Sequence, residues 1–215
     1  MAQVYIFGAS SAYGVGAEHS GWGDLLKQYL HSKMYSSDGI GEKHEVFNFA
    51  YPGAGADFVI VTAREQLKFY RRSGKVIAVI SVGGNNSKAE ETPDNFVSTV
   101  EEYKQLMSQL IERMKEDVDE VILVGSGAVD EAKTNPKPNP LTGGKSYFTN
   151  ARREMFEHKL VEVCRKHEAH FVPVDVTPDE WRASYLYKDG LHPNQKGHEY
   201  IARQVWTVVE NLIGD

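Results

Sequence analysis

The chain has one cysteine, Cys164, in 215 residues. That excludes an intramolecular disulfide and removes the common all-Cys and Cys/His zinc patterns. No apolar run approaches the roughly 18 residues that suggest a membrane span. Basic residues are in deficit: 24 Lys and Arg stand against 30 Asp and Glu, a formal net charge of −6. The longest basic cluster, Arg71-Arg72 with Lys68 and Lys75, reads as a solvated helix end. Nucleic acid is therefore not an expected partner. The N-terminus reaches an apolar run by Val4, with no basic leader and no long apolar segment before it. No signal peptide is expected, and a soluble, cytoplasmic protein is. Repeats and low-complexity segments are also missing.

What remains is an ordinary globular balance, 41% hydrophobic and 25% charged residues. The length fits one domain over residues 1–215, large enough for a substantial core. Five short runs rich in Val, Ile and Phe stand out: 4–7, 45–49, 76–81, 120–125 and 170–174. They are continuous rather than alternating, which suits parallel strands buried on both faces. Helical stripes lie between them. One runs from Trp22 to Met34 and a second from Asp57 to Tyr70. A third is expected to start at Thr92 as N-cap with Pro93 in its first turn, and to carry Phe96, Val100, Tyr103, Met107, Leu110 and Met114. A fourth spans Tyr147 to Lys166 and the last about Asn194 to Leu212. Strands alternating with helices predict an α/β fold, a three-layer α/β/α sandwich around a parallel sheet of about five strands. Residues 128–146 break the rhythm. This segment carries Pro136, Pro138, Pro140, Gly143 and Gly144, and is expected to be a long loop, either a lid or pocket wall or a mobile surface segment.

The chemistry-bearing residues sit where such strands end. Gly8-Ala9-Ser10 follows the first strand, and Asp189-Gly190-Leu191-His192-Pro193 lies near the other end of the chain. A serine, an imidazole to take its proton and a carboxylate to fix the imidazole supply the parts of a nucleophilic hydrolase. Gly190 allows the tight turn that lets Asp189 and His192 meet, because it tolerates positive φ. Asn48-Phe49-Ala50-Tyr51-Pro52-Gly53 follows the second run and Gly83-Gly84-Asn85-Asn86 the third. In open α/β sheets that edge is where ligands bind.

With these four blocks the chain resembles the SGNH (GDSL-type) hydrolase and esterase family, whose blocks carry Ser, Gly, Asn and His in that order. The matching positions are Ser10, Gly53, Asn85 and His192, with Asp189 as the third member of the triad. The resemblance implies a flavodoxin-like strand order. It also implies an oxyanion hole made by the backbone N–H groups of Ser10 and Gly53 and the side-chain amide of Asn85. Three positions depart from the family pattern: Ala9 and Asn86 stand where acids are usual, and Ala50 where glycine is common.

The expected activity is hydrolysis of an ester of a small, carbohydrate-derived or lipid-derived molecule through an acyl-Ser10 intermediate, with no cofactor and no metal. Tyr13, Tyr51 and Phe148 are candidates to line an acyl pocket. Acyl transfer on the same site uses the same first half-reaction. A non-catalytic flavodoxin-like module holding a phosphate or nucleotide is the other alternative, but it gives no reason to pair Asp189 with His192. Other residues rank lower. A serine after a strand is most often a turn or N-cap residue, a role open to Ser11 as well as Ser10. His198 is read as a surface or supporting histidine rather than the base. Cys164 and His167 share a helix away from any strand end. Neither Gly53-Ala54-Gly55 nor Gly125-Ser126-Gly127 completes a dinucleotide fingerprint.

Overall fold

The computed structural model describes residues 1–35, 42–139 and 142–214. Among these, the strands are β1 (Ala2–Gly8), β2 (His44–Asn48), β3 (Lys75–Ser81), β4 (Ala89–Glu90), β5 (Glu120–Val124), β6 (Lys137–Pro138), β7 (Lys145–Tyr147) and β8 (His170–Val172). Five form one parallel sheet in the order β2-β1-β3-β5-β8. The expected sandwich and its flavodoxin-like strand order are therefore present.

Parallel strands buried on both faces divide their side chains between two cores. Tyr5 and Phe7 of β1, Val76, Ala78 and Ile80 of β3, and Val121 and Leu123 of β5 face one side. Val4, Ile6, Ile77, Val79, Ile122 and Val124 face the other. The first face is covered by α3 (Ala56–Tyr70), α5 (Val100–Lys115) and α7 (Asn150–Lys166). The second is covered by α2 (Trp22–Tyr35) and α9 (Gln195–Gly214). Each fully buried Leu or Ile in these layers contributes about 1.5–3 kcal/mol.

Shorter helices punctuate the strand ends: α1 (Ser10–Tyr13), α4 (Gly84–Ser87), α6 (Glu131–Thr134) and α8 (Pro178–Glu180), the last running into a wide turn over Trp181–Tyr185. None of the described helices is long and apolar enough to cross a membrane.

Two sequence expectations need correction. The third long helix begins at Val100, not beside Thr92. Thr99 caps it by accepting from the Glu102 N–H, and the Glu102 carboxylate accepts from the Thr99 N–H in return. This capping box satisfies two otherwise orphaned donors, whereas Thr92 spends its hydroxyl on Asp94 in a turn. Likewise the fourth helix starts at Asn150, with Thr149 as its cap, and Tyr147 lies in β7.

Residues 128–146 are also more ordered than a plain loop. Their described residues hold α6, β6 and the start of β7; β6 and β7 pair antiparallel, and β7 pairs with β4 to complete an antiparallel sheet, β4-β7-β6. Pro140 lies outside the described residues.

Candidate active site

The sheet order places β1 between β2 and β3, so the chain departs from β1 to one side and returns on the other. Open α/β folds form their crevice at such a reversal. Ser10 opens α1 directly after β1. The Ala9 N–H donates to Ser81 O at 3.1 Å, tying this turn to the end of β3. A Cβ at Gly8 would sit 2.7 Å from both Ser81 O and the Ala12 Cβ, so only glycine lets the turn close there. On the other side Phe49 and Tyr51 donate their backbone N–H groups to Ile6 O and Gly8 O. These bonds lay the second block along β1. Gly53 lies in that block with φ +91°.

The C-terminal turn meets this edge. Gly190 has φ +77°, and the turn brings His192 Nδ1 to 2.6 Å from Asp189 Oδ2. His192 Nε2 lies 2.8 Å from Ser10 Oγ. Residues 182 positions apart thus form one hydrogen-bonded series, Ser10–His192–Asp189. The other carboxylate oxygen of Asp189 accepts from the backbone N–H groups of Leu191 and His192 at 3.0 and 3.1 Å. Burial opposes ionisation of this carboxyl. The His192 side chain and the two N–H groups outweigh it, and hold the Asp189 pKa well below the usual carboxylate range. Asp189 is thus an ionised acceptor that fixes the tautomer and orientation of the ring.

Unpaired donors lie on the strand-end blocks. The backbone N–H groups of Ser10 and Gly53 are taken up by no other protein group among the described residues. Asn85 Nδ2 donates to Ala54 O at 2.9 Å. That bond uses one of the two amide hydrogens and fixes the amide against the Gly53 loop. Ser10, Asn85 and His192 line one cavity of about 80 Å³, whose apolar wall includes Phe148, Trp181 and Val124. Tyr13 and Tyr51 do not line it. Both are largely exposed, and Tyr51 stacks on Phe58.

A serine hydroxyl in contact with an imidazole that a carboxylate orients can be deprotonated as it attacks a carbonyl. Its own unpaired N–H and the Asn85 amide, which lines the same cavity, can receive the charge that develops.

A model of the GDSL-like lipase/acylhydrolase family matches residues 6–200. The chain belongs to that family. No curated protein matches it. Among solved structures it is similar to a lipase/acylhydrolase from Enterococcus faecalis, at 17% identity and TM-score 0.73, over 98% of this chain and 96% of that one. A psychrotrophic esterase, EstA, from Pseudoalteromonas sp., in a structure inhibited by monoethylphosphonate, aligns at 14% identity and TM-score 0.69 over 99% of both chains. An acetyl xylan esterase from Geobacillus stearothermophilus aligns at 15% identity and TM-score 0.66, over 95% of this chain and 93% of that one. At these identities the three establish the shared α/β/α fold.

Departures from the usual GDSL-family blocks have local solutions. Asn86, where an acid is common, is buried. Its Oδ1 accepts from the Ala56 N–H at 2.9 Å and its Nδ2 donates to Ser98 Oγ. A carboxamide thus satisfies the first turn of α3 without placing a charge in the core. Ala9 gives α1 no side-chain cap, and the backbone bond to Ser81 holds the turn instead.

The lower-ranked residues find structural places. His198 is fully buried, not a surface residue. Its Nδ1 accepts from the Trp22 N–H at 3.2 Å and its Nε2 donates to Val15 O at 3.1 Å. It closes the loop that follows α1. Cys164 is buried in the core, where burial pushes its thiol up to about 12. That thiol is inert at neutral pH. His167 lies 3.2 Å from Ser108 Oγ.

Sequence reasoning missed Lys137 and Arg153. Lys137 Nζ donates to the Asp189 backbone carbonyl at 2.9 Å and lies 3.4 Å from its carboxylate. The signal available was a lysine inside the proline-paced segment, without any hint of what it would meet. Arg153 lines the cavity, and a basic residue one turn into a helix carries no local signal of that.

Proposed function

We propose that the protein is a serine esterase that hydrolyses the ester of a small molecule through an acyl-Ser10 intermediate. The observation carrying this reading is the unbroken hydrogen-bonded series Ser10–His192–Asp189, together with the unpaired backbone N–H groups of Ser10 and Gly53. His192 accepts the Ser10 proton as Oγ bonds to the ester carbonyl carbon. The carbonyl oxygen becomes an oxyanion held by Ser10 N–H, Gly53 N–H and Asn85 Nδ2. Collapse breaks the ester C–O bond, and His192 passes its proton to the departing alcohol. Water, deprotonated by the same imidazole, then releases the acid and restores the serine. Asp189 stays ionised throughout and stabilises the imidazolium.

These steps need no cofactor. A cavity of about 80 Å³ suits a short acyl group. The acetyl ester named for one structural relative is consistent with that size, on a carbohydrate or another alcohol.

Intact-mass analysis after treatment with a fluorophosphonate tests the assignment. One adduct is expected on the native protein and none on Ser10→Ala. A folded native protein that acquires no adduct would refute the nucleophile.

A further inference from the structure

The cavity beside Ser10 is lined by one permanently charged side chain, Arg153, and by no acid. Its guanidinium is held firmly. Nε and Nη2 both donate to Gly127 O, at 3.1 and 2.9 Å. Gly127 in turn lies under the Trp181 ring, where a Cβ would fall 2.0 Å from a ring carbon. Glycine is the only residue that allows this contact, and the contact fixes the carbonyl that orients the arginine.

Nη1 is left over. It makes no hydrogen bond within the protein among the described residues, and it stands 3.4 Å from where a Cβ of Gly84 would be. Gly84 precedes Asn85 and lines the same cavity. No carboxylate among the described residues forms an ion pair with Arg153. The acid acting on it electrostatically is Glu157, whose pKa burial raises while the Ser126 N–H and Arg153 itself pull it down. Burial lowers the Arg153 pKa only to about 10, so the group is charged at neutral pH.

A half-buried guanidinium with one nitrogen unbonded in the protein, and only Glu157 acting on it electrostatically, is incompletely satisfied, and that is costly. A ligand that brings the anion removes the cost, and the planar Nη edge suits a carboxylate.

We infer that the substrate of this site carries a carboxylate, which Arg153 binds while Ser10 attacks the ester. The inference rests on the esterase reading above. It narrows the substrate class to esters with an anionic group on the acyl chain or on the alcohol.

The test compares kcat/KM for matched neutral and anionic esters, with the rate of Ser10→Ala subtracted. For the acyl side the pair is 4-nitrophenyl butyrate and the 4-nitrophenyl monoester of succinic acid. For the alcohol side it is phenyl acetate and 4-acetoxybenzoate. The native enzyme is expected to prefer the anionic member of one pair by roughly 10- to 100-fold, the scale of one charged hydrogen-bonded contact. The pair that shows the preference locates the carboxylate.

Arg153→Met should abolish that preference while neutral esters are still turned over. Where that variant fails to fold, Arg153→Lys keeps the charge and should retain only part of the preference. Equal kcat/KM within both pairs, in an enzyme that fluorophosphonate labels at Ser10, overturns the carboxylate and leaves the esterase standing. A preference that survives Arg153→Met overturns the role of Arg153. Absence of both labelling and turnover is instead the failure of the esterase reading.

Discussion

The two ends of the hydrogen-bonded series are held by different means. Ser10 rests on backbone and core. Its turn is fixed by Ala9 N–H to Ser81 O, by the close approach at Gly8, and by buried His198 behind the loop that follows. Asp189 and His192 rest on a partly buried turn instead. That turn is braced by the segment 128–146: Asp130 N–H donates to Gly190 O, Lys137 reaches the Asp189 carbonyl, and a Cβ at Gly190 would fall 2.8 Å from the Lys133 Cβ. The nucleophile is positioned by groups whose loss would damage the fold. The acid and base are positioned partly by groups whose loss would chiefly disturb the chemistry. Long insertions at strand ends are tolerated thermodynamically, and here one serves as a buttress.

Removing the reacting groups themselves should have the largest effect and ignore the difference between the ends. Ser10→Ala and His192→Ala are each expected to lower ester turnover by on the order of 10⁵-fold or more, with the double variant little worse than either. Steady-state rates on a 4-nitrophenyl ester check this. Additive losses would show that the two residues do not act as a unit.

Asn85→Ala comes next. Loss of one oxyanion donor costs roughly 10²–10³ in turnover. Because Asn85 Nδ2 also holds Ala54 O, the same variant should lower the thermal midpoint, which ties it to the fold-supporting end. A drop in midpoint with turnover intact would make Asn85 purely structural.

How much of this could be read from the chain varies with the kind of signal. The five central strands were legible because parallel strands buried on both faces leave continuous apolar runs, and Val4–Phe7 falls within β1 as read. Helix starts were less so. Thr92-Pro93 carries the same residue types as a real start, and the deciding feature was Glu102 three residues after Thr99. The series Ser10–His192–Asp189 was legible because short-range spacing fixes Asp189 to His192, and strand-end placement brings Ser10 to them. Arg153 and Lys137 were not, since their meaning depends on contacts across 26 and 52 positions. No local pattern encodes such pairings. Tyr13 and Tyr51 failed as pocket residues for the related reason that a strand-end position does not fix which way a ring points.

Lys137→Met probes the buttressed end by itself. The ion pair is partly buried, with both side chains near one-fifth exposed, and such pairs are worth up to about 1 kcal/mol. If the whole of that is felt at the barrier, kcat falls about fivefold. Stability should change little, because the Leu191 and His192 N–H groups still hold Asp189. A large loss of thermal midpoint without loss of kcat would erase the contrast between the two ends.

His198 offers the corresponding probe of the other end, with the smallest effect on chemistry. Burial holds its pKa below the ordinary imidazole value, the Val15 carbonyl pulls the other way, and the nearby His192 adds to the lowering while Asp24 opposes it. In the folded protein Nδ1 must stay unprotonated to accept from the Trp22 N–H. The unfolded chain, titrating near 6.5, binds the extra proton first. Between the folded value and 6.5 the unfolded state therefore carries more protons, so stability rises with pH in that window and is lost as pH falls below about 6.5. Urea midpoints measured from pH 7.5 to 5 should decline for the native protein. His198→Gln should flatten that decline while lowering stability at pH 7.5 by about 1–3 kcal/mol, the cost of leaving a buried partner unsatisfied. Its kcat should stay near the native value wherever it is folded. A decline of equal slope in the variant would move the titrating group elsewhere, and a collapse of kcat in folded protein would mean that the loop behind Ser10 belongs to the chemistry after all.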